Sequence, residues 1–374
     1  MPATTASRPA DVLDRRALNR AFLARQLLLK RPAMSASAAL EHLVGLQAQA
    51  PLPPYYGLWT RLEDFRPEEL SDLLTGRQAV RVPLMRGTVH LVTSADFRAL
   101  RPCVQPFLER SLATTFAKDL KGLDPADVAD AGRALLEKAP HTVGDLTVAL
   151  RTTWPDHSAN ALSNVVRCLL PVVQIPPRGV WGQGGQLTYA LADDWIGAPQ
   201  DAEADLDSLV LRYLAAFGPA TVKDIQAWSG LTRLRAVTER LRPQLVSLLA
   251  DDGRELLDLP DAPRPGADAD APVRYLAPFD NAILSHADRT RIISDEHRKA
   301  ISTKNALIPG TILLDGFVAG AWRTDRTRTS TTLDVQLFTQ VTKRQRAGIA
   351  EEGERLLLFA SDGAGPRELR IADA

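Results

Sequence analysis

The chain reads as an α+β protein: three helix-turn-helix units, each closed by a two-stranded ribbon, followed by a C-terminal β-rich, barrel-like domain. Three observations predict it. Apolar residues at helical spacing over residues 11–50 give way to two short apolar strands between residues 79 and 92. A Pro-x-Thr-Val-x-Asp-Leu/Ile segment occurs twice, at Pro140–Leu146 and Pro219–Ile225, 79 residues apart. Beyond residue 272 the helical period fades and β-branched segments with hairpin turns replace it.

In order, residues 1–10 are small and polar and read as a disordered tail. From Asp11 to Leu29 the apolar positions Leu13, Ala17, Phe22, Leu23, Leu27 and Leu28 predict a helix, which Arg31-Pro32 ends. Ser35 or Ser37 caps a second helix running to Leu46. Pro51, Pro53 and Pro54 make a rigid turn, and Tyr55–Trp59 restarts a helix. Pro67-Glu68-Glu69 opens another, with proline and acids where a helix start favours them. Ala79–Leu84 and Thr88–Val92 read as strands joined by Met85-Arg86-Gly87. Helices followed by a two-stranded ribbon make a winged helix, assigned to residues 11–110.

A second such unit is assigned to residues 111–200. Thr142 caps a helix with Asp145 three residues on; Ser158–Leu170 is its second helix, and Val172–Ile175 and Leu187–Leu191 form its ribbon around a glycine-rich turn. A third covers residues 201–262, with Thr221 and Asp224 in the same capping roles, a second helix from Thr232 to Leu241 and a ribbon from Leu245 to Leu259. Residues 260–272 are a Pro/Ala/Asp linker. Residues 272–374 carry strands at Val273–Leu276, Thr311–Leu314, Phe317–Trp322 and Thr331–Leu337, with Asp315-Gly316 as a hairpin turn, then a helix from Thr342 to Glu354 and an apolar strand-like run, Leu356–Phe359. A helix-turn-helix with a wing is a DNA-binding layout, although the same layout serves in protein docking.

A chain of 374 residues is expected to form two to four domains. Lysine plus arginine equals aspartate plus glutamate at 45 each, which excludes a uniformly basic nucleic-acid binder. The charge is uneven: residues 1–110 carry net +5, residues 111–271 net −7 and residues 272–374 net +2. Basic ends around an acidic middle fit either a protein that meets a polyanion with selected faces or an ordinary solvated surface. Two cysteines, Cys103 and Cys168, and six scattered histidines show no metal-ligand spacing, so neither metal nor cofactor is expected. No run suits a signal peptide or a membrane span, which predicts a cytoplasmic protein.

Gly45-Leu46-Gln47-Ala48-Gln49-Ala50-Pro51 places two amides at a helix end. Pro51 pushes Ala50 out of the α region, so the amides enter extended backbone, where residues i and i+2 share a side. The pair either satisfies loose backbone groups at the helix end or offers two neutral polar side chains to one substrate.

Four stretches decide between those readings. Leu46–Pro51, Leu84–Val92, Tyr275–Asp280 and Leu314–Arg323 together resemble the bacterial winged-helix DNA glycosylases of the AlkZ/YcaQ type, in order and over nearly the whole chain. The resemblance implies three tandem winged helices and a C-terminal β-barrel around a DNA-sized channel. It also implies a catalytic motif of glutamine, an apolar residue, then glutamine or aspartate. Gln47 and Gln49 occupy it here, and the double-glutamine form is similar to the AlkZ-like branch, associated with self-resistance to DNA-alkylating antibiotics. The aspartate form goes with a YcaQ-like branch of broader tolerance. The implied partner is double-stranded DNA carrying alkylated purines, met by a monomer.

Amides suit this chemistry. Most glycosidic cleavage uses two carboxylates, but N7-alkylation makes guanine cationic and a good leaving group. Positioning a water and placing dipoles near an oxocarbenium-like centre then suffices. The expected substrates are N7- or N3-alkylated purines, not uracil or normal bases, and the expected mode is hydrolytic, since nothing marks Lys304 or another lysine as a Schiff-base nucleophile.

Arg86 and His90 flank the amides in the family pattern, as DNA contacts or, for His90, as a satisfied internal hydrogen bond. Arg178 in the glycine-rich turn, Arg233 and Arg235 at the third unit's second helix, and Arg323, Arg326 and Arg328 beyond the last signature are further candidate DNA contacts. Asp280 reads as a structural cap. The rival readings are a non-enzymatic winged-helix regulator and an interaction protein without activity. Regulators usually carry one wing unit per protomer and dimerise, whereas three units in one chain favour a monomer enclosing DNA.

Overall fold

The computed structural model describes residues 12–197, 203–302, 307–327, 329–363 and 365–374. The N-terminal tail, Lys304 and Arg328 lie outside the described residues.

Strand β1 (Val12–Leu13) leads into α1 (Arg15–Arg25), capped by Asp14. Helix α2 (Ala36–His42) is capped by Ser35 and stops at His42, short of Leu46. Val44 and Gly45 take φ of 54° and 83° and turn the chain into β2 (Leu46–Gln47). Only glycine fits at position 45, since a Cβ would stand 2.5 Å from the Val92 side chain and 2.9 Å from the Leu91 carbonyl oxygen. After α3 (Pro53–Trp59) and α4 (Pro67–Thr75) comes a hairpin, β3 (Ala79–Pro83) and β4 (Val89–Thr93), with a tight 3₁₀ tip at Met85–Gly87.

Helices α5 (Ser94–Thr115) and α6 (Pro125–Leu136) have no counterpart in the sequence reading, and Pro102 and Pro106 lie inside α5. Next come β5 (His141–Thr142), α7 (Val143–Thr153), α8 (Ala159–Leu169), β6 (Val172–Gln174), β7 (Thr188–Leu191) and α9 (Ala192–Ile196). Then follow α10 (Leu206–Phe217), α11 (Val222–Ser229), α12 (Arg235–Leu241), β8 (Val246–Ala250) and β9 (Glu255–Asp258). Thr142 and Thr221 both cap their helices, each hydroxyl accepting the N–H of the aspartate three residues on. The C-terminal part contains β10 (Arg274–Leu276), α13 (Asn281–Leu284), α14 (Asp295–Ile301), β11 (Gly310–Leu314), β12 (Phe317–Arg326), β13 (Thr331–Leu337), α15 (Lys343–Ala360) and β14 (Arg367–Ala372).

Three sheets result. The first two ribbons merge into six strands in the order β2-β4-β3-β6-β7-β5, joined where Arg81 of β3 meets Gln174 of β6. The third is β1-β8-β9, so the first described residues pair in parallel with a strand more than two hundred positions later. The C-terminal sheet runs β10-β11-β12-β13-β14 and is open, with β10 and β14 as its edges. The barrel expected there is therefore not closed among the described residues. Leu356–Phe359 forms no strand: Leu356 and Leu357 are buried turns of α15, packed with Ile349. That helix is the crossover that lets β14 lie parallel to β13, an arrangement a hairpin cannot make.

The main hydrophobic core draws on the whole chain, from Phe22 of α1 through Val165 and Trp228 to Leu313 and Val318 of the C-terminal sheet. A second, aromatic seam ties α3 to that sheet, with Tyr56 edge-on to Trp322 at 5.5 Å and Trp181 against Phe359 at 5.2 Å.

Candidate active site

Gln47 ends β2 opposite His90 of β4 and is only 7% exposed. Its carboxamide oxygen accepts a hydrogen bond of 2.9 Å from Arg86 Nη2, and its amide nitrogen has no partner among the described residues. Gln49, two residues on, is exposed, and its oxygen accepts the Val89 N–H at 3.2 Å. Both donors face carbonyl oxygens, which fixes the orientation of each amide. The chain holds the two glutamines against one hairpin: Gln47 in extended backbone that begins earlier than the sequence implies, and Gln49 in the bend that follows.

Arg86 sits at the hairpin tip with a left-handed φ of 56°. It is half-buried. It also donates to the Trp228 carbonyl at 2.6 Å and to Asn281 Oδ1 at 3.3 Å. Burial and the Arg289 charge lower its pKa to about 10, so it stays cationic at neutral pH. His90 is fully buried; Nδ1 donates to the Thr88 carbonyl at 3.1 Å and Nε2 has no partner. Burial, then the Arg86 charge, push its pKa down to about 3, so the ring is neutral. Arg86 is turned onto Gln47, and His90 makes the internal hydrogen bond that is one of its two expected readings.

Beside Gln49 lies a cleft of about 230 Å³ over the junction of the two ribbons. Its floor is Arg81 of β3, Gln174 of β6 and Tyr189 of β7; its wall is the polar stripe Asn160, Ser163, Asn164 and Arg167 of α8; its rim is Arg178. The stripe follows from helical spacing, since Ala161, Leu162, Val165 and Val166 on the other face are buried in the core. Arg81 is 2% exposed and donates once, to the Ala48 carbonyl at 2.8 Å, while its Nε and Nη1 are buried without partners. Burial and the Arg178 charge lower it to about 10. Arg167 donates to the Gly87 carbonyl and, at 3.1 Å, to Asn164 Oδ1. No carboxylate lines the cleft. Arg81 and Arg167 escape sequence reasoning; the signal that could have found Arg167 is the spacing Asn160, Ser163, Asn164, Arg167 on one helix face.

The other expected contacts are dispersed. Arg178 lines the cleft and donates to the Gly185 carbonyl at 3.3 Å. Arg233 and Arg235 are exposed and make no ion pair among the described residues, but Arg233, at φ 63°, precedes α12 rather than riding on it. Arg323 pairs with Asp334 at 3.2 Å and Arg326 donates to the Ala360 carbonyl at 3.3 Å, and neither lines the cleft. Asp280 is a cap: it accepts the Ala282 N–H at 2.9 Å and binds Arg61 through both oxygens, at 2.7 and 2.8 Å. Its neighbour Asn281 donates to the Gly45 carbonyl at 3.4 Å, joining this turn to the glutamine loop. Among the described residues no group of three histidine, cysteine or acidic side chains could hold a metal, and no helix is long and apolar enough to cross a membrane.

Comparison with known proteins gives three findings. The model of a family described as DNA glycosylase AlkZ-like matches residues 40–359. An interstrand DNA cross-link repair glycosylase of Streptomyces sahachiroi is 24% identical over 325 residues, covering 80% of this chain and 84% of that protein. The solved structure of the Streptomyces sahachiroi DNA glycosylase AlkZ superposes with a TM-score of 0.78 at 18% identity, covering 96% of this chain and all of the other, a likeness of fold.

Proposed function

Because the chain belongs to the AlkZ-like family of DNA glycosylases, we propose that it hydrolyses the N-glycosidic bond of N7- or N3-alkylated purines in duplex DNA, bulky adducts and interstrand cross-links included. The observation that carries this reading is the pair of uncharged carboxamides fixed on one hairpin, Gln47 by Arg86 and Gln49 by the Val89 N–H, with Gln49 at the edge of an open cleft.

A cationic purine leaves with the bonding electrons of the C1′–N9 bond and becomes neutral, so no group need protonate it. A carbonyl oxygen that accepts one hydrogen bond keeps a second lone pair. With that lone pair Gln49 orients a water whose oxygen attacks C1′ and whose proton passes to solvent. Gln47, polarised by Arg86, supplies a fixed dipole beside the developing positive sugar. No lysine lines the cleft, so water is the nucleophile we assign and the enzyme is monofunctional. We read the helix-and-ribbon segments as winged helices that place the duplex against this hairpin, with one chain sufficient.

The test is base release from duplexes carrying N7-methylguanine, or cross-linked by a DNA-alkylating antibiotic, read as strand breaks after alkali. Wild type should give product, and Gln47→Ala and Gln49→Ala should each lose about 10²–10³ in rate. Specific operator binding with no product on any alkylated duplex would make the protein a regulator. Excision of uracil from duplex DNA would remove the argument from leaving-group charge.

A further inference from the structure

The cleft beside Gln49 is charged in a way that the reaction does not need. Three guanidiniums, from Arg81, Arg167 and Arg178, line it, and no acid does. Most of the other buried arginines are matched: Arg25 binds Asp258, Arg61 binds Asp280 and Arg20 binds Asp315. Arg81 is the exception that lines a cleft, with two nitrogens buried and unpartnered. A buried donor left unmade costs roughly 1–3 kcal/mol, more when charged, so such a site persists where a ligand completes it.

The ligand must be anionic. A cationic alkylpurine would be repelled, and so would the positive sugar of the transition state unless a negative charge stood nearby. It must also be small. At about 230 Å³ the cleft falls below the roughly 300–1,000 Å³ that enclose a drug-sized ligand, too little for a purine nucleotide but enough for a phosphodiester. The Asn160 side-chain amide adds a neutral donor able to meet a phosphate oxygen, while the Ser163 hydroxyl and the Asn164 amide donate to Asn160.

We propose that this cleft is a phosphate-binding site, in which Arg81, Arg167 and Arg178 hold the DNA phosphodiester next to the target nucleotide and so set its sugar against Gln49. The proposal rests on the reading of the protein as a DNA glycosylase and names its backbone subsite. Held there, the phosphate offsets the arginine charge and places an anion beside the sugar as positive charge develops.

The experiment is a double-mutant cycle on the full-length protein, read by fluorescence anisotropy and therefore independent of base release. The probe is a duplex containing a tetrahydrofuran abasic analogue. Each of the three phosphates on either side of the analogue is replaced in turn by a neutral methylphosphonate. At one position the replacement should weaken wild-type binding by about tenfold or more, yet have little further effect on Arg178→Gln or Arg81→Gln. Each variant should also lower the slope of log affinity against log salt by about 0.9. Arg81→Lys, which keeps the charge, should recover part of the affinity. Should Arg81→Gln not fold, as judged by circular dichroism, Arg178→Gln and Arg167→Gln carry the test. Additive losses at every position would overturn the subsite. Coupling at one phosphate in a protein that releases no base would sustain the subsite while the proposed activity failed.

Discussion

His90 shows how far one buried side chain can depart from its reference behaviour. With no exposed surface and one hydrogen bond, it is held near a pKa of about 3 by burial and by Arg86. Well above pH 6.5 the ring is neutral folded and unfolded, and it adds no pH dependence. As the pH falls from about 6.5 towards 3, the unfolded chain takes up a proton that the folded chain refuses, so stability is lost on acidification. Between pH 7 and pH 5 this amounts to about 2 kcal/mol. Urea unfolding at the two pH values should show this loss in the wild type, diminished by about that amount in His90→Gln. His286, also pushed down by burial, keeps its own share in both proteins. Equal pH dependence in the two would mean that His90 is not the proton acceptor. Arg81 illustrates the same burial: Ala79–Pro83 is legible as a strand, but nothing within it marks the arginine as buried. All five residues are buried because α4 and α5 pack on β3, the second ribbon pairs with it and the Gly179 loop lies against the Arg81 side chain.

At the scale of elements, the segments with local punctuation were legible. The Thr-x-x-Asp caps at Thr142 and Thr221 open helices, and Asp315-Gly316, with φ of 50° and 83°, turns between β11 and β12. The segments decided by distant contacts were not. Helix α2 stops where Gly45 meets β4, α5 runs through two prolines, and Leu356–Phe359 stays helical with Leu356 and Leu357 packed against the C-terminal sheet. The candidate site divides likewise: the amides were visible as a motif, the arginine-lined cleft only once α8 was packed over the ribbons. The turn at Pro278–Asn281 is a joint rather than a catalytic element, since Asp280 pairs with a buried Arg61 and caps α13. Removing one member of a buried pair strands the other, at about 3–5 kcal/mol. Asp280→Ala should therefore lower unfolding stability by that amount, while the exposed Gln49→Ala changes it by less than about 1 kcal/mol. A loss below about 1 kcal/mol in Asp280→Ala would remove the joint from the account.

Across the whole molecule, the net +5 of residues 1–110 acquires an internal explanation. Arg16 and Arg20 reach Asp315, Arg25 reaches Asp258, Arg31 reaches Glu352 and Arg61 reaches Asp280. Arginines from the first sixth of the chain are thus matched by acids from its last third, and all but Arg16 are turned inward. Strand β1 completes the β8–β9 sheet, Asn19 of α1 donates to the Gly316 carbonyl at 2.7 Å, and Phe22 packs edge-on against His286 at 5.1 Å. No cut through the chain separates two cores without stranding buried cations. Proteins of this length commonly unfold in stages, because their domains carry separate cores. Here scanning calorimetry should give one transition whose calorimetric and van't Hoff enthalpies agree. Asp280→Ala should move that single peak down without splitting it. Two resolved peaks in the wild type would show that the arginine pairs join regions that melt independently, and that the interlocked core does not govern stability.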